Sequence, residues 1–206
     1  MNVLLINGSP RADGCTFTAL SEISKKLNEN GIQTEILQVG NVPVQDCIAC
    51  GKCKATGKCV FDDVVNVIIE KSKTADGFVF GTPVYYAHPT GRILSVLDRA
   101  FYAGGANFVH KPAAVIASAR RAGTTVSLDT LSKYLGIKQM PIVSSSYWNM
   151  VHGSTPEQIY RDSEGMQTMR NIAANMAWIL KCIDVGAKAG IAAPQNQVSE
   201  RTNFIK

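Results

Sequence analysis

Short apolar runs rich in β-branched residues alternate along this chain with longer segments of helical period. This alternation is typical of a parallel sheet covered by helices on both faces, and the sequence therefore predicts the α/β class. Gly31 is predicted to end the first helix, and Asp62 and Thr124 are predicted N-caps. The predicted strands cover residues 2–7, 33–39, 77–82, 113–118 and 139–144, and the predicted helices cover residues 16–30, 62–74, 91–103, 124–135 and 164–185.

Length and composition favour one domain. A chain of 206 residues with 46% hydrophobic content can bury one substantial core but is short for two. We predict a single domain over residues 1–186 and a C-terminal tail over 187–206. The net charge of +5 comes from scattered basic residues, so no nucleic-acid partner is expected. The chain opens without a signal segment and no apolar stretch approaches about 20 residues, so we expect a cytoplasmic protein without membrane contact.

The loop after the first predicted strand has the composition of an anion site. Residues 7–16 read N-G-S-P-R-A-D-G-C-T and lead directly into a helix, whose first backbone N–H groups and positive dipole end favour a negative charge. Ser9 and Thr16 can donate hydroxyl groups, and Arg11 can neutralise charge. The loop matches neither the dinucleotide nor the nucleoside-triphosphate motif, so a monophosphate suits it better. The alternative is an ordinary strand-to-helix turn.

Two further loops are predicted at the same edge of the sheet. Residues 82–91 contain Tyr85 and Tyr86, whose flat faces can contact a planar ring, or which merely cap the sheet edge. Residues 118–125 contain Arg120 and Arg121; a cation there either stabilises an anionic reduced cofactor or faces solvent. His88 is not assigned a catalytic role, since a lone loop histidine is more often structural.

Four of the six cysteines lie within one short segment, with the spacing C-x2-C-x2-C-x5-C. Four thiolates in one loop can ligate the four irons of a [4Fe–4S] cluster. Structural zinc is a second interpretation, although zinc sites commonly pair two knuckles across a longer spacer, and reduced thiols without metal are a third. Cys182, on the last predicted helix, is expected to be a buried packing residue. The predicted ligands are Cys47, Cys50, Cys53 and Cys59.

Taken together, these motifs resemble the flavodoxin-like NAD(P)H-dependent FMN reductases, and the cysteine segment resembles that of their iron-sulfur flavoprotein branch. The resemblance implies a three-layer α/β sandwich with a five-stranded parallel sheet of order 2-1-3-4-5. It also implies that FMN carries out the redox chemistry, so no side chain is assigned a catalytic role. It implies FMN contacts from three loops: Ser9, Pro10, Arg11, Gly14, Cys15, Thr16, Pro83, Val84, Tyr85, Tyr86, Thr90, Ser118, Ala119, Arg120 and Gly123.

The expected function is that of an FMN-dependent oxidoreductase, because flavin is stable in one- and two-electron states. FMN would accept electrons from NAD(P)H, another small molecule or ferredoxin and pass them on, singly where a [4Fe–4S] cluster is present. Two rival functions are a cluster-free flavin or quinone reductase and a pure electron carrier between proteins. In the branch that the chain resembles, the cluster commonly lies at a subunit contact, which favours a homodimer or homotetramer.

Overall fold

The computed structural model describes residues 1–200, 202 and 204. Its parallel sheet has the order β2-β1-β3-β5-β6, and β4 pairs antiparallel with the end of β3. The predicted flavodoxin-like order is confirmed, since the five parallel strands occupy the positions 2-1-3-4-5. The strands are β1 (Asn2–Asn7), β2 (Gln33–Gln38), β3 (Gly77–Tyr85), β4 (His88–Pro89), β5 (Ala113–Ala119) and β6 (Met150–His152).

Helices cover both faces of the sheet, as predicted from the alternation. Asp63, one residue after the predicted cap, accepts a hydrogen bond from the Val65 N–H at 3.0 Å and caps α3. Thr124 is the first residue of α5 rather than its cap, which is Gly123. The helices are α1 (Cys15–Glu29), α2 (Cys53–Thr56), α3 (Val64–Ser72), α4 (Gly91–Ala103), α5 (Thr124–Ile137), α6 (Pro156–Arg161) and α7 (Ser163–Lys188), with a 3₁₀ turn at Gly105–Phe108.

The central strands are apolar on both faces because the sheet separates two cores. Along β1, Leu4 and Ile6 point into a core shared with α3, α4 and α5. Val3 and Leu5 point to the opposite side and pack with α1 and α7. Successive side chains of a strand alternate between faces, so a continuous apolar run is the expected pattern for a strand buried on both sides.

The fifth strand lies later in the chain than predicted. Residues 139–144 pair with the sheet only through an isolated bridge between Ile142 and Ala113, and the strand that completes the sheet is β6. Between the two, the chain leaves the sheet, and the buried Asn149 replaces the missing strand contacts. Its side-chain amide donates to the carbonyl oxygens of Val115 and Val143 at 3.1 and 3.3 Å. The two carbonyl groups are thus satisfied without a strand at 144–148.

The last helix also differs from the prediction at one residue. Cys182 is exposed, because it lies on the face of α7 opposite the buried positions Met169, Ile172 and Met176. The helix continues to Lys188. No helix in the described part of the chain combines the length and the apolar character needed to cross a bilayer.

Candidate functional site

The loops that follow β1, β3 and β5 meet at the C-terminal edge of the sheet. We call them together the three-loop site, which comprises residues 7–16, 82–91 and 118–125. The first two are joined by a hydrogen bond from the Thr90 hydroxyl to the Gly8 carbonyl at 3.3 Å, and the Gly8 N–H donates at 2.9 Å to the carbonyl of Gly81, the residue before the second loop. The first and third are joined where the hydroxyls of Thr16 and Ser118 share a hydrogen bond of 2.8 Å.

Two amide side chains that the sequence analysis did not identify shape the first loop. The buried Asn7 accepts from the Ser9 N–H at 3.1 Å and donates to the Arg11 carbonyl at 3.3 Å. Gln38, at the end of β2, donates to the Ser9 carbonyl at 2.7 Å. A polar residue that ends an apolar strand, as Asn7 ends β1, is the sequence signal for such a role.

The start of α1 offers backbone donors to an anion. Its N-cap is Gly14, and no side chain caps the helix, so the first-turn N–H groups lack a capping partner. The buried Ser9 and Thr16, the latter 1% exposed, flank this helix end, whereas Arg11 is exposed. The Ser9 hydroxyl accepts from the Arg11 N–H at 3.1 Å and keeps its own proton for a ligand. The helix dipole and the uncapped first turn favour an anion such as a phosphate.

Cys15 stands at the same helix end. Its thiol lies 3.7 Å from the Gly153 carbonyl, and burial raises the pKa of the thiol above its usual value. The sulfur is therefore protonated at neutral pH and adds no negative charge beside a phosphate. A thiol is a weak donor, so Cys15 contributes mainly shape.

The second loop is a tight hairpin. Its two turn residues, Tyr86 and Ala87, have φ of 50° and 58°, in the left-handed region that suits two-residue hairpins but strains non-glycine residues. Tyr85 and Tyr86 are exposed, at 51% and 104%, so their rings face solvent above the sheet edge. A hydrogen bond joins the two ends of this loop, because the Thr90 N–H donates to the Thr82 hydroxyl at 3.2 Å.

The third loop packs directly against this hairpin. Gly123 has φ of +95°, and a Cβ there would collide with the backbone of Ala87. Arg120 and Arg121 are both exposed. At the rim, an imidazole nitrogen of His152 lies 3.1 Å from the Arg121 carbonyl oxygen. His152 was not identified from the sequence, because it ends the three-residue strand β6, whose pattern is weak.

The four predicted ligand cysteines line one cavity of about 490 Å³. They belong to residues 40–61, the cysteine loop, which leaves the same edge of the sheet after β2. Cys47 and Cys50 are exposed, Cys53 begins the one-turn helix α2, and Cys59 is half-buried. Within residues 1–200, no three His, Cys, Asp or Glu side chains converge tightly enough to bind a single metal ion. A cluster of four irons takes one thiolate per iron and needs wider spacing, so the donor set suits it in number and chemistry.

A buried arginine beside this cavity was not identified from the sequence. Arg99 is 2% exposed, forms a two-point ion pair with Asp63 at 2.7 and 2.9 Å, and donates from Nε to the Cys59 sulfur at 3.1 Å. Burial alone would lower the pKa of Arg99, but the bonds to Asp63 and Cys59 outweigh it and raise the pKa. The sequence signal that could have identified Arg99 is its position as a charged residue within the apolar stretch of α4.

Helix α4 links the two candidate sites. Its N-cap is Thr90, whose hydroxyl accepts from the Ile93 N–H at 3.3 Å, and which belongs to the three-loop site. Arg99 lies nine residues further on, beside the cysteine cavity. At 1.5 Å rise per residue, the two positions are roughly 14 Å apart along the helix axis. One rigid element therefore sets the relative position of both sites.

The chain matches a known protein family over most of its length. Residues 1–155 match the family model described as NADPH-dependent FMN reductase. The chain is 29% identical to an iron-sulfur flavoprotein of Methanocaldococcus jannaschii over 191 residues, which cover 89% of this chain and 99% of that relative.

Solved structures share the fold at low sequence identity. RosB with bound 8-demethyl-8-formylriboflavin-5′-phosphate has a TM-score of 0.67 and 16% identity, and the match covers 100% of this chain and 92% of RosB. A flavodoxin from the domain Archaea has a TM-score of 0.60 and 11% identity, with 88% of this chain and 99% of the flavodoxin covered. The fold is thus flavodoxin-like.

The contact between the second and third loops should depend on Gly123. We expect Gly123→Ala to lower the free energy of unfolding by about 1–3 kcal/mol, because the new Cβ meets Ala87 and φ is positive. Gly136→Ala, in the same helix α5 with open space around its Cβ, should be neutral or stabilising by up to about 1 kcal/mol. Urea denaturation measures both, and equal effects would contradict the proposed contact.

Proposed function

Because the chain belongs to the NADPH-dependent FMN reductase family, we propose that it is a flavin-dependent oxidoreductase that binds one FMN at the three-loop site. The observation that carries the proposal is the start of α1, which no side chain caps, together with the buried hydroxyl residues Ser9 in the loop before it and Thr16 in its first turn. That donor set fits a singly phosphorylated ligand. When bound, FMN would supply the redox chemistry, since it accepts two electrons and can release them one at a time.

The residues around the site have distinct parts in holding this cofactor. In this proposal, Ser9, Thr16 and the first N–H groups of α1 bind the phosphate, and the exposed Arg11 adds a positive charge. The hairpin from Pro83 to Tyr86 and Thr90 provide the wall for the flavin ring. On the other side, Ser118, Ala119 and Gly123 of the third loop would contact the flavin, and the exposed Arg120 would supply a cation at the rim.

We further propose that the cysteine loop holds a [4Fe–4S] cluster. All four cysteines line one cavity, and the M. jannaschii relative is named an iron-sulfur flavoprotein. The thiolates of Cys47, Cys50, Cys53 and Cys59 would bind the irons, and the exposed Lys52, Lys54 and Lys58 would offset their negative charge. Electrons would then leave the flavin singly. The alternative is a reductase of flavins or quinones whose cysteines remain free thiols.

The electron donor in this proposal is NAD(P)H or an acidic redox protein of the ferredoxin type. The family description favours the nicotinamide, and the exposed lysines of the cysteine loop favour an acidic protein. We also propose that the protein assembles as a homodimer or homotetramer. Exposed large apolar side chains support this assembly, among them Tyr102, Trp148 and Trp178.

An anaerobic visible spectrum of the purified protein tests the proposal directly. We expect flavin absorbance after supply of FMN, and loss of that absorbance when NADH or NADPH is added alone. Bleaching only by reduced ferredoxin would favour the pure electron carrier. A protein that stays colourless and takes up no FMN would contradict the function.

The phosphate contact can be tested at Arg11. We expect Arg11→Ala to weaken FMN binding about tenfold, because one charge-assisted contact is lost, and to leave riboflavin binding unchanged. Flavin fluorescence titration at two salt concentrations measures both affinities. Lys25→Ala, which removes an exposed cation of helix α1 far from the helix start, is the control and should bind FMN like the wild type. An equal loss for riboflavin would show that Arg11 does not contact the phosphate.

The cluster ligands can be tested by iron and sulfide analysis of anaerobically purified protein. We expect Cys53→Ala to remove the broad absorbance and most of the iron, while the flavin spectrum stays. Cys182→Ala, an exposed cysteine on α7, should keep wild-type iron and sulfide contents. Wild-type iron content in Cys53→Ala would reject this ligand assignment and leave the cluster-free reductase.

A further inference from the structure

The guanidinium of Arg99 has a complete set of acceptors although it is buried. Two come from the Asp63 carboxylate, and the others are the Cys59 sulfur at 3.1 Å, the Gln45 carbonyl at 3.0 Å and the Phe61 carbonyl at 3.2 Å. Five N–H groups therefore meet five acceptors. A buried charge is costly unless paired in this way, so the arrangement demands that all these groups stay in place.

Three of the five acceptors belong to the cysteine loop. Gln45 comes just before the first cysteine, and Cys59 and Phe61 lie at and after the last one. Arg99 therefore fastens both ends of the loop to α4. It also stacks over the Phe61 ring, with 5.0 Å between the guanidinium carbon and the ring centre.

Cys59 is held more firmly than the other three cysteines. Its N–H donates to the Asn66 side-chain oxygen at 2.8 Å, and its carbonyl accepts from the Asn66 amide at 3.1 Å. Together with the Arg99 contact at the sulfur, this fixes both the backbone and the side chain of Cys59. Cys47 and Cys50, by contrast, are exposed. One ligand position is thus set by protein contacts alone.

We propose that Arg99 is the positioning residue of the metal centre: it presents Cys59 as a preformed ligand and, through its N–H···S bond, stabilises the reduced cluster over the oxidised one. The inference rests on the proposed function, in which the four cysteines hold a [4Fe–4S] cluster. Reduction adds one negative charge to the cluster, and a hydrogen-bond donor and a cation at a ligand sulfur favour the more negative state. Removal of Arg99 therefore lowers the reduction potential.

The test compares Arg99→Gln, Arg99→Lys and Arg92→Gln with the wild type. Arg92 is a matched control, since it also lies on α4 and donates to a carbonyl of the cysteine loop, that of Val42, but to no cysteine. Dye-mediated anaerobic titration should give a lower cluster potential for Arg99→Gln, an intermediate one for Arg99→Lys, and the wild-type value for Arg92→Gln. A purely structural role of Arg99 would reduce stability and iron content but leave the potential of the remaining clusters unchanged, and that result overturns the tuning.

Hydrogen exchange of the iron-free protein tests the positioning without a cluster. Amides of residues 57–63 should exchange at least about tenfold faster in Arg99→Gln than in the wild type, and Arg92→Gln should not change them. Equal exchange in all three proteins overturns the positioning. Arg99→Lys keeps the charge and serves where Arg99→Gln does not fold. If the wild type takes up no iron or sulfide on anaerobic reconstitution, that result contradicts the proposed cluster and the effect of Arg99 on its potential. The role of Arg99 in positioning Cys59 is then still tested by hydrogen exchange.

Discussion

The strands β2, β1, β3, β5 and β6 run parallel. This constraint places every candidate functional loop at the same edge of the sheet. The loops after β1, β3 and β5 form the three-loop site, and the cysteine loop leaves the neighbouring β2. Parallel strands need crossover helices. The chain leaves each strand at the C-terminal edge of the sheet, passes through a loop and begins the next helix at that same edge. The positive end of α1 therefore lies inside the site, without a capping side chain.

Hydrogen bonds within the protein hold the three-loop site in one arrangement. The Gly8 N–H, the Thr90 hydroxyl and the Thr16–Ser118 pair join loops that are far apart in sequence. A site whose walls are already fixed loses less conformational entropy when a rigid flat ligand binds. The strained turn at Tyr86 and Ala87 belongs to this arrangement, since strain persists only where the surrounding structure determines the backbone.

Helix α4 couples the two sites by rigid geometry rather than by direct contact. Its first residues are capped by Thr90, and its buried arginine lies under the cysteine cavity. An apolar residue at position 99 would leave the Asp63 carboxylate without its cation and the Gln45 carbonyl without its donor, and it would remove the bonds to Cys59 and Phe61. The buried ion pair thus gives the cysteine loop a defined position, which apolar packing alone does not provide.

The sequence by itself determined the α/β alternation, the first four strands of the parallel sheet and the crowding of four cysteines, because these follow from residue patterns over short distances. It misplaced the fifth strand: residues 139–144 are apolar enough for a strand, but Asn149 and β6 take over the pairing with β5. Only the tertiary structure decided the roles of Asn7, Gln38 and Arg99. Arg99 binds partners 36, 40 and 54 residues away in sequence, and such contacts exist only once the chain has folded.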